Sequence, residues 1–284
     1  MATEVYLPFY TPEGVIGFLG LGTSSFIGTV DEATILKYPK TPGDEVALER
    51  LKLEAQMLER IGPHKHIIGY KGQREDGLLL ERARRGSIAQ FLKDYTPTWQ
   101  QKLLWACQAT EAVVVTHRAG VIHCDINVTN LLLDDNLMVK LCDFQGLLLR
   151  ADGSVDKDGL ARENIKSFMP RTDPNHLDHK TDIFALGSSF YHIMQGHEPF
   201  PDMDPGDDEE QIKGRFASGQ YPKMDSPLMN GVTHKCWAGD YDSAEAVLQD
   251  LVREEAINLP ASTPLNQPTH ARPPLHSATA RTHQ

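Results

Sequence analysis

The segment His123-Cys124-Asp125-Ile126-Asn127-Val128-Thr129-Asn130, followed by Asp143 in Leu-Cys-Asp-Phe, constrains this chain more than any other feature. An acid, an amide five residues later and a second acid supply hard oxygen donors, the ligands that Mg²⁺ takes while keeping several waters. The flanks set the local structure. A capping pattern, Thr98-Trp-Gln-Gln101 with Pro97 before it, opens a long helix that ends near Gly120. Leu131–Leu133 and Val139–Cys142 are short apolar runs around the turn Asp134-Asp135-Asn136, and read as two strands. Asp125 and Asn130 therefore fall on a loop between a helix and a strand, and Asp143 falls at a strand's end.

The chain has 284 residues, enough for one two-lobed unit or two small domains with a sizeable core. A net charge of −11 argues against non-specific binding to nucleic acid or anionic membranes, so neither is expected as a partner. Cys107, Cys124, Cys142 and Cys236 are scattered with no C-x-x-C pair, which indicates neither a zinc site nor a disulfide framework and favours reduced thiols in a cytoplasmic setting. The stretch Met1–Gly14 lacks the basic and apolar regions of a secretory signal, and no apolar run approaches the roughly 20 residues of a membrane helix. Nothing in the sequence specifies an oligomeric state.

Along the chain, Val15–Gly20, Phe26–Val30 and Thr34–Tyr38 read as strands, with Asp31-Glu32 turning the last pair into a hairpin. Asp44 caps an expected helix whose apolar face is Val46, Leu48, Leu51, Leu58 and Ile61, ending near Gly62-Pro63. Ile67–Lys71 and Leu78–Glu81 are two further strands, and Ser87–Asp94 a short helix. From Lys180 the pattern is helical: Asp182–Gln195, Glu209–Ser218, Met229–Trp237 and Ser243–Glu255. A strand-rich third thus precedes a helix-rich remainder, with a joint near Glu81–Gly86. The tail after Leu259, rich in Pro, Thr, Ala and His, is expected to be disordered.

Phosphoryl transfer fits this layout. It needs a cradle for polyphosphate, divalent metal on oxygen ligands, and a group that orients the acceptor hydroxyl. Gly20-Leu-Gly22-Thr-Ser-Ser-Phe-Ile27 is a flexible turn between strands that can bring backbone N–H groups to phosphates, although an ordinary hairpin explains it equally well. Lys37 ends an apolar strand and Glu54 lies on the next helix. Taken alone, each reads as a solvated charge; together and in this order with Asp125, Asn130 and Asp143, they do not.

On these motifs, residues 10 to 255 resemble the eukaryotic protein kinase superfamily, and are similar to compact fungal serine/threonine-kinase-like proteins with abbreviated N-lobes. The resemblance implies an α+β, two-lobed protein kinase fold: an N-lobe of about residues 10–82, built on a small antiparallel sheet with one helix, and a mainly helical C-lobe of about 86–255. It implies ATP and Mg²⁺ as cofactors and a protein substrate, with Asp125 as the catalytic base and Asn130 and Asp143 holding metal. Lys37 closes Ile-Leu-Lys in place of Val-Ala-Ile-Lys, and Glu54 becomes its ion-pair partner. Gly20 and Gly22 begin the phosphate-covering loop. Ile27, Ile35 and Leu132 enclose adenine, Leu80 is the gatekeeper, and Glu81-Arg-Ala83 is the hinge that bonds adenine through its backbone. Asp182-Ile-Phe-Ala-Leu-Gly187, Glu198-Pro-Phe200 and Lys235-Cys-Trp237 match later C-lobe landmarks that small-molecule phosphotransferases lack, and Asp182 is expected to tether the catalytic loop.

Five positions depart from the family pattern. Cys124 replaces the Arg that pairs with a phosphorylated activation loop. Asn127 replaces the Lys two residues after the base, which removes a charge from the transferring phosphate. Gln145 replaces the Gly after Asp-Phe, with Gly146 one residue late. Ile35 stands where a small Ala roofs adenine, and the third loop glycine is either Ser25 or the later Gly28. Arg171 replaces the Glu of Ala-Pro-Glu; a charge-reversed pair with Glu245 and two unrelated surface charges are the alternative readings. A pseudokinase scaffold and a small-molecule phosphotransferase are the rival functions; the five retained groups favour nucleotide and metal binding and transfer, the resemblance implies Ser or Thr of a protein as acceptor, and the departures imply a slower enzyme.

Overall fold

The computed structural model describes residues 10–22 and 24–258. The tail expected to be disordered lies outside the described residues. The first strands are β1 (Gly17–Leu21), β2 (Ser25–Thr29) and β3 (Thr34–Pro39); after α1 (Glu45–Ile61) come β4 (Tyr70–Arg74) and β5 (Gly77–Glu81). They form one antiparallel sheet in the order β1-β2-β3-β5-β4. Position in the sheet sets burial. Every residue of the central strand β3 is buried, whereas β1 and β4, at the edges, alternate or stay partly exposed.

Asp44 caps α1 by accepting from the Ala47 amide, and Gly62 closes it with its N–H on Leu58 O. The helix buries Ala47, Leu51, Leu53, Glu54, Ala55, Met57 and Leu58. Val46 is a correction to the expected apolar face: it points outward at 65% exposure. The strand expected at Ile67–Lys71 begins later, at Tyr70. Ile67 and Ile68 are instead drawn to another part of the chain, where Ile68 N donates to Leu141 O (2.9 Å) and Leu141 N to His66 O (2.9 Å).

Beyond the joint, α2 (Ile88–Asp94) and α3 (Trp99–Arg118) lead to β6 (Val121–Ile122), β7 (Leu131–Leu133) and β8 (Val139–Leu141). Ser87 completes a capping box with Gln90, while Thr98 makes only its own half of the expected box, accepting from the Gln101 amide. Arg85 N bonds Leu133 O and Leu133 N bonds Gly86 O, so the chain enters the second lobe along β7.

The stretch after Asp143 is ordered. β9 (Leu147–Leu149) and β10 (Val155–Asp158) form a hairpin that joins β6 in the order β10-β9-β6. A 3₁₀ turn at Ile165–Ser167 follows. Then come α4 (His179–Gln195), α5 (Glu209–Ala217), α6 (Pro227–Ala238) and α7 (Ala244–Asn258). The α4 helix starts a turn before Asp182 because Asp178 caps it, accepting from Lys180 N and Thr181 N. α3 packs against α4 and α7, and α4 against α6, which makes the core of the helical lobe. The result is the expected two-lobed α+β fold. Among the described residues, no helix is long and apolar enough to cross a membrane.

Candidate active site

Sheet register brings the N-lobe candidates onto one face. Ile27 pairs with Lys37 across β2–β3, Ile35 with Leu80 across β3–β5, and Gly20 with Ile27 across β1–β2. Directly opposed residues share a face, as do Ile35 and Lys37 two apart in one strand. Ile35 and Leu80 are buried there, with Ile27, Ala83 and Leu132 half-buried against the same core. Ile35 and Lys37 therefore share one face of β3. Ser25 and Gly28, the two candidates for the third loop position, sit in different surroundings. Ser25 begins β2, accepting at its carbonyl from Gly22 N (2.8 Å), while Gly28 is a packing glycine against which a Cβ would collide with Val15. No atom crowds Gly20.

The joint is partly spent on structure. Glu81 N donates to Gly69 O (2.7 Å) and Arg82 N to Ala33 O (3.0 Å). The Glu81 carboxylate accepts from Gly69 N (3.0 Å) and pairs with Lys140 of β8 (3.1 Å).

Lys37, Glu54 and Asp143 come together. Lys37 Nζ donates to Glu54 Oε2 at 2.6 Å and also to Asp143 Oδ1, across 106 positions of sequence. Burial alone would lower the Lys37 ammonium; the two carboxylates outweigh it and hold it above its ordinary value. Lys37 holds the Asp143 carboxyl below the usual range, while burial pushes the fully enclosed Glu54 carboxyl up.

Asp125 faces this group from the catalytic-loop candidate. Asn127 Nδ2 donates to its Oδ1 (2.8 Å) and Asn130 Nδ2 to its Oδ2 (2.9 Å). Burial raises the Asp125 carboxyl to about 6, against the opposing pull of His123 and the two amides. His123 accepts from Asp125 N at Nδ1 (3.3 Å) and contacts Cys142 O through Nε2 (2.9 Å), so its proton sits on Nε2. Its ring meets Phe144, which is fully buried, edge-on at 5.0 Å.

The loop is tethered from below. Asp182 is fully buried, and its carboxylate accepts from His123 N (2.8 Å), Cys124 N (2.8 Å) and His117 Nε2 (2.9 Å). Burial opposes the charged form, but His117 and the amides prevail and hold the carboxyl below its ordinary value. Cys124 and Asp143 have left-handed backbones, φ 66° and 67°. Such strain costs about 1–3 kcal/mol per residue and persists where neighbours over-determine it. Here the Asp182 contacts do so for Cys124. Its thiol lies among Ile122, Leu147 and Leu177, where burial pushes it up and out of thiolate chemistry.

Two expectations change. Arg171 does not pair with Glu245. It makes a buried fork to Glu163 (2.8 and 3.0 Å), while Glu245 takes Arg118 (2.8 Å). Glu163 is eight residues away on the same segment and close to hand, whereas Glu245 sits on α7 beside α3. Gln145 also needs no glycine-like backbone, since its φ is not positive. Sequence reasoning missed His117, the Glu163–Arg171 fork and the side-chain role of Gln145; no spacing rule marks contacts between an irregular segment and its neighbours.

The donor chemistry fits a divalent cation held in part by phosphate and water. Asp143 Oδ2 and Asn130 Oδ1 accept no hydrogen bond among the described residues, and both are hard oxygens. Among the described residues no group of three His, Cys, Asp or Glu side chains forms a metal cage by itself.

A family model described as protein tyrosine and serine/threonine kinase matches residues 20–249. The chain is 25% identical over 264 residues to the receptor-like protein kinase ANXUR2 of Arabidopsis thaliana, covering 85% of this chain and 30% of that protein. It is 26% identical over 196 residues to the serine/threonine-protein kinase PknL of Mycobacterium tuberculosis, covering 67% and 48%. It is 29% identical over 236 residues to the mitogen-activated protein kinase kinase kinase 1b of Physcomitrium patens, covering 76% and 28%. The chain thus spans about a third to a half of the length of these curated relatives. They support the superfamily resemblance, not its fungal refinement.

Proposed function

The chain belongs to the protein tyrosine and serine/threonine kinase family, and from that premise we propose that it transfers the γ-phosphoryl group of ATP to Ser or Thr hydroxyls of a protein substrate. The observation that carries this reading is the meeting of Lys37, Glu54 and Asp143 in one ion cluster beside Asp125. Nothing in packing alone rewards burying a lysine with two acids, because desolvation offsets much of the attraction.

Asn130 and Asp143 would hold Mg²⁺ through their free oxygens. When bound, Mg²⁺ neutralises charge on the phosphates as it develops. Lys37 has three N–H donors, two of them on carboxylates, which leaves one for a phosphate oxygen. Glu54 keeps that lysine in place. Asp125, raised to about 6, is poised to orient the acceptor hydroxyl and take its proton. Ala83 supplies the hinge amide, since the amides of Glu81 and Arg82 are already bonded. Ile27, Ile35, Leu80 and Leu132 give the adenine an apolar slot, narrowed by Ile35.

Asn127 predicts a slow enzyme. Both ends of its amide are used, on Asp125 and on Thr129, and it brings no positive charge to the transferred phosphate. Loss of one such contact costs about 10²–10³ in rate in other reaction classes.

The test is a radiolabelled ATP/Mg²⁺ assay on purified protein, with Asp125→Ala as control. Transfer by the wild type that falls by about 10²–10⁴ in the variant supports the proposal. Wild-type signal equal to that of the variant refutes catalysis; thermal stabilisation by ATP/Mg²⁺ would then identify a nucleotide-binding scaffold.

A further inference from the structure

We propose that Gln145 is a positioning residue of the metal site, an amide clasp that fixes the Asp143 carboxylate and links it to the β9–β10 hairpin. The inference rests on the reading that Asp143 holds metal. Gln145 Nε2 donates to Asp143 Oδ1 (3.2 Å) and to Glu54 Oε2 (3.4 Å), the same two oxygens that Lys37 contacts. One side-chain amide has two N–H donors, and both are used.

The chemistry of this duplication is specific. Lys37 has to serve a phosphate as well as the two acids. Gln145 serves the acids alone, so they remain bridged whatever the lysine's third donor is doing. It also directs its hydrogen bond to Oδ1, the oxygen already taken by Lys37, and so keeps Oδ2 clear. Being neutral, it does this without reducing the negative charge that attracts a cation. A lysine in its place would compete with the metal, and a glycine would hold nothing.

The clasp is anchored at its backbone. Gln145 N donates to Asp143 O (3.1 Å), and Gln145 O accepts from Ala161 N (3.0 Å), just past β10. Gly159 N donates to Gly146 O (2.8 Å). Two close approaches make this sandwich possible. A Cβ on Gly146 would strike the carbonyl oxygens of Ile122 and His123, and a Cβ on Gly159 would strike the Gln145 carbonyl. Gln145 is therefore held between the catalytic loop and the returning strand, and its side chain extends from a fixed base toward α1. Gln145 thereby connects the segment after β10 to the aim of the Asp143 carboxylate.

Groups that orient metal ligands typically change metal affinity about 10- to 100-fold when removed. Three variants separate the clasp from packing: Gln145→Met keeps the bulk and loses the donors, Gln145→Gly restores the family residue, and Gln145→Glu keeps the shape but adds a third negative charge. Each is titrated with Mn²⁺ in the presence of ADP and followed by water-proton relaxation, alongside the unfolding midpoint without metal. The expected result is a Mn²⁺ half-saturation raised about tenfold in Gln145→Met and Gln145→Gly, with ADP affinity at saturating Mn²⁺ held near that of the wild type. Gln145→Glu, in which the donors become acceptors beside two acids, is expected to lower the unfolding midpoint. Equal half-saturation in wild type and Gln145→Met overturns the inference while leaving the kinase reading intact. Absence of ADP-dependent Mn²⁺ binding in the wild type overturns both.

Discussion

The loop His123–Asn130 and the segment Gln145–Arg171 flank the same carboxylates, yet they are held by different means. In the loop, residues that match the kinase pattern do most of the holding: Asp182 collects three donors beneath it and Asn130 fixes Asp125, with the departing Asn127 adding one further bond to that carboxylate. In the segment, two residues that depart from the pattern, Gln145 and Arg171, share the holding with ion pairs that no motif marks. Arg171 grips Glu163, Gln145 spans Asp143 and Glu54, and Arg162 forks onto Asp158 at 2.8 and 3.1 Å. Lys166, itself buried, adds bonds to Glu198 (2.8 Å) and Phe200 O (3.1 Å). The contrast shows that a lost motif residue is informative only beside the contacts that replace it. Cys124 cannot bind a phosphorylated loop, and this loop is tied down by its own side chains.

The contrast is broken most directly at the loop. Asp182→Ala leaves three buried donors without their acceptor, and is expected to cost about 3–5 kcal/mol in urea denaturation. A loss below about 1 kcal/mol, the scale of an ordinary surface pair, would mean that the tether is dispensable. The segment is expected to show a smaller, pairwise effect. A double-mutant cycle on Glu163 and Arg171 should return a coupling of about 1–3 kcal/mol, and the same cycle on Arg171 and Glu245 none. Coupling in the second cycle and not the first would reverse the assignment. The smallest effect sharpens the point about switching. Ser154 is exposed on the hairpin turn, and Ser167 is buried in the 3₁₀ turn. Replacing both with Ala should leave transfer within about twofold, the kinetic equivalent of the 0.5 kcal/mol typical of mild substitutions. Complete loss would show that loop phosphorylation is the switch after all.

The loop was legible in the sequence because its chemistry is local. His123, Asp125 and Asn130 lie within one turn of chain, and Asp143 ends a strand whose apolar run is plain. Lys37 and Glu54 were recoverable only from their order along the chain relative to Asp125, Asn130 and Asp143, because each taken alone reads as a solvated charge. The segment was not legible for the opposite reason. Its strands β9 and β10 are short, Val155–Asp158 is exposed throughout, and its ion pairs follow no repeat. Arg171 had a nearby acid on its own segment and a distant one on α7, and charge alone could not choose between them. Ile67 and Ile68 misled in a similar way. Their apolar character marked a buried extended stretch, but the partner was β8 in the other lobe, not a neighbour in the N-terminal sheet.

That partner has a mechanical consequence. Ile68 N on Leu141 O, Leu141 N on His66 O and Glu81 on Lys140 stitch the two lobes along the edge behind the site. Bodies sewn along one edge cannot separate by translation. They open by rotation about the seam. That rotation must also break the contacts that cross between the lobes at Lys37–Asp143 and Gln145–Glu54, and its displacement grows with distance from the seam. The Gly20–Gly22 end lies across the sheet from that seam, so it sweeps the widest arc, while Leu80 and Ala83 barely move. On the nucleotide reading proposed above, release would begin at the phosphate end, and binding, its reverse, would seat the purine first.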